Sequence, residues 1–89
     1  MKIDIKDILG VLKMHKNRMV LSINKEELTN RLYKVQGFIS GLYYVDVISY
    51  KRMNAYDRYF MHLWYKLKEN FDYNDIITDN KYINIERRW

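Results

Sequence analysis

The chain of 89 residues has no cysteine, no proline and a single alanine, Ala55, and each shortage removes a class of explanation. Without cysteine there are no disulfides, no thiolate metal sites and no thiol nucleophile, and nothing marks an oxidising compartment. With three glycines and no proline, there is no Pro/Gly/Ser linker and no glycine-rich phosphate loop, so one compact domain over 1–89 is expected. Long apolar runs are also missing. The charge-free stretch from Val35 to Val45 is far too short to cross a bilayer, and MKIDIKDIL lacks the pattern of a signal peptide. The expectation is a cytoplasmic protein with no membrane partner.

What is present is skewed. Ile, Lys, Tyr and Asn supply 37 of the 89 residues, a usage that follows AT-rich codons and points to an AT-rich bacterium or one of its mobile elements. The net charge of +5 is uneven: residues 1–69 hold 13 Lys+Arg against 7 Asp+Glu, and residues 70–89 hold 3 against 4. A basic body favours an acidic protein surface or nucleic acid as partner. A chain this short buries only about 60–65 % of the surface its unfolded form exposes, so its core must be efficient or completed by a partner.

Apolar spacing predicts a mainly α protein. Asp4 can cap a first short helix, with Ile5, Ile8, Leu9 and Leu12 on one side, ending near Lys16. RMVLSI (Arg18 to Ile23) reads as a strand or a connector. Asn24 followed by Glu27 then marks a helix start, the side chain at the cap and the carboxylate three residues on satisfying exposed amides. Leu28, Leu32, Val35, Ile39 and Leu42 alternate spacings of four and three, which stacks them on one helical face. The same spacing resumes at Met53, Tyr56, Phe60, Leu63 and Leu67, ending near Asn70.

Between the two series lies LYYVDVISY, whose β-branched and aromatic residues would suit a strand over 42–50. Asp46 breaks the apolar seam, Ile48 can plug it from beneath and Ser49 can cap the next helix, so the segment is expected to be a tight joint. The result is a long antiparallel helical hairpin, about 25–45 and 49–70. Farther on, IIT and YINI flank Asp79-Asn80, a pair that tolerates the conformations of a hairpin turn, so a small C-terminal β-hairpin is expected, with α+β as the alternative class. Residues 86–89, ERRW, are read as a flexible tail or a docking peptide.

No constellation points to catalysis, a cofactor or a metal. His15 and His62 stand on different elements, and nothing beside His62, between Arg58 and Lys66, would orient it as a base. Asp72, Asn74, Asp75 and Asp79 resemble a calcium loop only superficially, since Ile76 replaces a ligand and Ile77 the glycine of the sharp turn. Ser22, Ser40 and Ser49 lack a nucleophile signature, and Gly37 and Gly41 are spaced for close helix packing. The expectation is therefore a non-enzymatic protein.

The aromatic surplus carries the functional reading. The seam accounts for Tyr56 and Phe60 but leaves Tyr33, Phe38, Tyr43, Tyr44, Tyr50, Tyr59, Met61, Trp64 and Tyr65 on other faces, more than so short a chain can bury. Interleaved with Arg and Lys, they have the composition that protein interfaces favour. We expect a small interaction protein, a phage or mobile-element regulator or inhibitor that presses on a larger protein, such as a nucleic-acid-processing machine in the manner of an anti-CRISPR. The expected contact residues are Tyr44, Tyr50, Arg52, Arg58, Met61, Trp64 and Tyr65. The alternative is a DNA-binding regulator of winged helix-turn-helix type, with phosphate contacts from Lys13, Lys16, Arg18, Arg31, Lys34 and Lys51. A homodimer through the leftover apolar face fits either reading.

Overall fold

Asp4, Asn24 and Ser49 each precede a helix in the computed structural model, which describes residues 3–84, with side chains as far as Asp72. The helices are α1 (Ile5–Val20), α2 (Lys25–Tyr44) and α3 (Tyr50–Asn84). The Asp4 carboxylate accepts from the Lys6 N–H at 3.1 Å. At α2 the Asn24 Oδ1 accepts from the Glu27 N–H at 2.7 Å, and the Glu27 Oε1 accepts from the Ile23 N–H at 2.9 Å. The expected reciprocal cap is thus present, with the carboxylate reaching one residue farther back than a capping box requires.

α1 runs past Lys16 to Val20, because Met19 continues the buried face of Ile8 and Leu12. RMVLSI is consequently no strand: its first half is the last turn of α1, closed by bonds from the Leu21 N–H to the Asn17 oxygen and from the Ser22 N–H to the Met19 oxygen. Two residues assigned to the inner face, Ile5 and Leu9, are instead exposed.

The five apolar residues of α2 are all buried, as their spacing predicts, and join Ile8, Leu12, Met19, Ile48 and Phe60 in one core drawn from all three helices. Of the α3 series only Phe60 is fully buried. Met53, Tyr56, Leu63 and Leu67 are half-buried against the same core.

Residues 42–50 form a joint and no strand. Asp46 takes φ 61°, the left-handed conformation that Asp tolerates better than most residues. Its N–H reaches the Tyr43 oxygen at 3.0 Å and the Val47 N–H reaches the Leu42 oxygen at 2.8 Å. This pair of bonds is the Schellman closure of a helix C-terminus. Ile48 is buried beneath it, and the Ser49 Oγ accepts from the Arg52 N–H at 3.1 Å to start α3.

The return course is antiparallel. Gln36 meets Met61, Thr29 meets Trp64 and Lys25 meets Asp72, so lower numbers on α2 face higher ones on α3. α3 does not stop near Asn70: Phe71 still packs on the core, and Asp72 Oδ1 and Oδ2 each hold a lysine at 2.7 Å, Lys25 and Lys68. The expected β-hairpin on IIT and YINI falls beyond Asp72, outside the residues whose side chains are described, and the 86–89 tail falls outside altogether. Gly37 and Gly41 do not mediate close packing. Both face outward, and a Cβ added at either would meet no atom within 4 Å.

These backbone positions generate two predictions. Asp46→Gly removes the steric cost of the left-handed residue and should raise stability by about 0.5–1 kcal/mol. Gly37→Ala, on an open helical face, should raise it by a similar amount, about 0.5–1 kcal/mol. Urea denaturation followed by circular dichroism reads both, and a loss of stability at either position would contradict the left-handed Asp46 or the open face at Gly37.

Candidate partner-docking site

α2 packs on both of its neighbours, whereas α1 and α3 touch each other least. A groove is left between α1 and α3. Around α1, Ile8 and Met19 point into the core, while Leu9 sits roughly 100° away from Ile8 and faces the groove. Its walls are Ile5, Leu9 and Leu12 from α1 and Tyr56, Tyr59 and Phe60 from α3. Its two lobes are open to solvent, with about 380 Å³ beside Phe60 and about 600 Å³ toward Ser49. Leu9 is 51 % exposed and Tyr59 49 %, large apolar surface left uncovered along a concave line. Tyr59 stands edge-on to the buried Phe60 ring at 5.1 Å, so the groove wall is anchored to the core.

The charged groups lining this groove are Lys13, Lys16, Lys51 and Arg52, and among the described residues no carboxylate lines it. An apolar floor with cationic edges suits an amphipathic helix whose flanks are acidic. Three of the residues expected to contact phosphate, Lys13, Lys16 and Lys51, thus stand at an apolar groove, and Arg52 joins them from the expected protein-contact set.

The other three expected phosphate contacts gather elsewhere. Arg18, Arg31 and Lys34, with His15, line a narrow cavity of about 150 Å³ between α1 and α2. His15 stacks at 5.9 Å on Phe38. Burial first, and then the charges of Arg18 and Lys34, hold the His15 imidazole below the usual histidine range.

The remaining expected contact residues divide between structural and outward positions. The Trp64 indole N–H donates to the Thr29 hydroxyl at 3.1 Å, and Lys68 Nζ lies 5.7 Å from the Trp64 ring centre. Met61 Sδ accepts from the Gln36 amide at 3.4 Å. Both side chains are half-buried and join α3 to α2. Arg58 and Tyr65 line a shallow outward depression with Asn54, Asp57 and His62, Tyr65 being 57 % exposed. Tyr44 and Tyr50 flank Tyr43 at the hairpin end, with ring centres 5.7 and 5.8 Å from it. This tyrosine cluster lies where the joint puts it, beside Lys51 and Arg52 in sequence. Within that outward depression Asp57 is half-buried. Its Oδ1 is buried without a hydrogen-bond partner, and burial pushes the carboxyl above the usual carboxylate range.

The sequence pattern does not single out Ile5, Leu9 and Tyr56 as a surface, and it leaves Tyr59 off the seam without assigning it to a site. The signal existed in Ile5, Leu9 and Leu12 and in Tyr56 and Tyr59, but both sets border the core-facing stripes and merge with them in a count of apolar residues. Among the described residues, no three His, Asp or Glu side chains gather to hold a metal, and no helix is long and apolar enough to cross a membrane. Comparison with protein-family models, with curated proteins and with solved structures finds no match to this chain.

Three titration and packing experiments check this geometry. Because the folded state disfavours protonating His15, stability should fall as pH drops from the unfolded histidine value near 6.5 through the folded value, and His15→Gln should flatten that slope. Asp57 has the opposite sign: its raised value makes the carboxylate costly at neutral pH, a cost relieved as pH falls through the folded value. Asp57→Asn should therefore stabilise at pH 7 by up to about 1 kcal/mol and lose that advantage in acid. Trp64→Ala should cost about 2 kcal/mol, less than a fully buried tryptophan, because it removes a joint between helices. Thermal melts across pH on the three variants measure all of this, and a Trp64→Ala protein as stable as the parent would return that residue to the exposed surface.

Proposed function

We propose that the protein is a non-enzymatic interaction module, a regulator or inhibitor that binds a larger protein by taking an acidic amphipathic helix of it into the α1–α3 groove. The single observation that carries this reading is the coincidence of exposed Leu9 and Tyr59 with four cationic edge residues and, among the described residues, no carboxylate. Monomeric proteins rarely leave large apolar side chains in a continuous groove without a use for them. Helix-in-groove recognition uses a stripe of apolar anchors on the ligand, and lysines and arginines at the edges select acidic flanks. A second copy of this chain is a poor occupant, since isologous pairing would set Lys13, Lys16, Lys51 and Arg52 against the same charges. The winged helix-turn-helix alternative gains no support from an α2 and α3 that run antiparallel along their lengths, since that motif crosses a recognition helix over a short first one.

Titration of the labelled protein with a synthetic amphipathic helical peptide, leucines along one stripe and glutamates on both flanks, tests the reading by NMR. Amide shifts should centre on Leu9, Leu12, Tyr56 and Tyr59, and the lysine-flanked counterpart should bind at least about tenfold more weakly. Leu9→Lys combined with Tyr59→Lys should abolish binding with the melting temperature little changed, as both residues are half exposed. Equal binding of the two peptides, or shifts centred on Tyr65 and Tyr44, would contradict it.

A further inference from the structure

On the opposite side of α1 from the apolar groove, His15 and Arg18 face Arg31 and Lys34 of α2 across the 150 Å³ cavity. From this convergence we propose that the cavity is a binding site for a single phosphate group, either the free ion or the phosphate of a small monoester. Arg31 is held in place before any ligand arrives. One of its terminal nitrogens donates to the Arg18 backbone oxygen, and the other lies 3.4 Å from the Glu27 Oε2. Glu27 is itself fixed by the Ile23 N–H on its other oxygen, so both carboxylate oxygens are engaged and neither turns into the cavity as a competing anion. A guanidinium carries five N–H donors, and two such contacts leave Arg31 others to offer.

The Arg18 and Lys34 side chains make no hydrogen bond or ion pair among the described residues, although each stands close enough to depress His15. Arg18, Arg31 and Lys34 bring three positive charges around so small a space, offset only by Glu27 on Arg31, and a doubly charged tetrahedral oxyanion is the ligand that relieves their repulsion while using directional donors. A carboxylate brings half the charge and a planar shape. The Phe38 ring packs against the His15 imidazole, with centroids 5.9 Å apart. This site is independent of the α1–α3 groove: neither requires the other, and the two share no lining residue.

Titration with inorganic phosphate and, separately, with adenosine monophosphate, at constant ionic strength set with chloride, tests the assignment. The His15 ring resonances and the Arg31 side-chain N–H resonances should move saturably with phosphate. Lys34→Gln and Arg18→Gln should each weaken binding about tenfold, while Lys66→Gln, on an exposed stretch of α3 outside both candidate sites, should leave it unchanged. Comparable affinity for the two probes assigns the cavity to the free ion, and at least tenfold tighter binding of the nucleotide assigns it to a monoester. Lys34 and Arg18 are exposed, so both variants should melt with the parent, which separates a lost site from a lost fold. Non-saturating shifts, or phosphate binding that survives Lys34→Gln and Arg18→Gln, would overturn the proposal.

Discussion

The whole arrangement depends on the apolar seam of α2. Leu28, Leu32, Val35, Ile39 and Leu42 are all buried, and both α1 and α3 pack against the helix that carries them. Burial of this kind is proportional to apolar area removed from water and has no preferred direction, so the helix with the most continuous seam becomes the centre of the fold. Once α2 holds both neighbours, α1 and α3 have little surface left for each other. Leu9 and Tyr59 stay exposed for that reason, and the groove is a consequence of how the core is distributed.

The joint at 45–49 sets which side chains of α3 meet that seam. A left-handed Asp46, two Schellman bonds and the Ser49 cap turn the chain within a few residues, and Ile48 closes the core beneath the turn. A slip of one residue here would rotate α3 by about 100°. Phe60 would leave the core, and Trp64 would lose Thr29. The pairs from Gln36 with Met61 to Lys25 with Asp72 show the register holding along the length of α2. Tyrosines 43, 44 and 50 gather at the turn because the same geometry places the end of one helix beside the start of the next.

Much of this was legible in the sequence. The alternation of four and three identified the α2 seam without error, Asn24 and Ser49 announced their helices, and Asp46 marked the break despite the strand-like residues around it. The end of α1 is obscured in the sequence because His15, Lys16, Asn17 and Arg18 precede the one apolar residue, Met19, that prolongs its buried face. The site was less legible. Spacing groups Ile5 and Leu9 with Ile8 and Leu12, but which part of a broad apolar arc meets a neighbour depends on crossing geometry that local pattern does not encode. Trp64 and Met61 lie off the apolar seam in sequence, and their partners, Thr29 and Gln36, come from α2 and are visible only in the packed fold. Likewise the basic residues form one population in composition, and only the packing separates the edge of the groove from the cluster around His15.

The two candidate sites lie on opposite sides of α1, one apolar with cationic edges and one small and cationic throughout, and each derives from a different interface of the same helix. In the function proposed above, partner capture falls to the apolar groove. Site-specific photocrosslinking in the native cell tests it most directly, with benzoylphenylalanine at Tyr59 in the groove compared with the same residue at Tyr65 on the outward face. The expected result is a discrete protein adduct from position 59 whose crosslinked peptide is an acidic amphipathic helix, with no such adduct from position 65. Adducts from position 65 alone, or a position-59 adduct mapping to a basic or non-helical segment, would contradict helix capture in the groove.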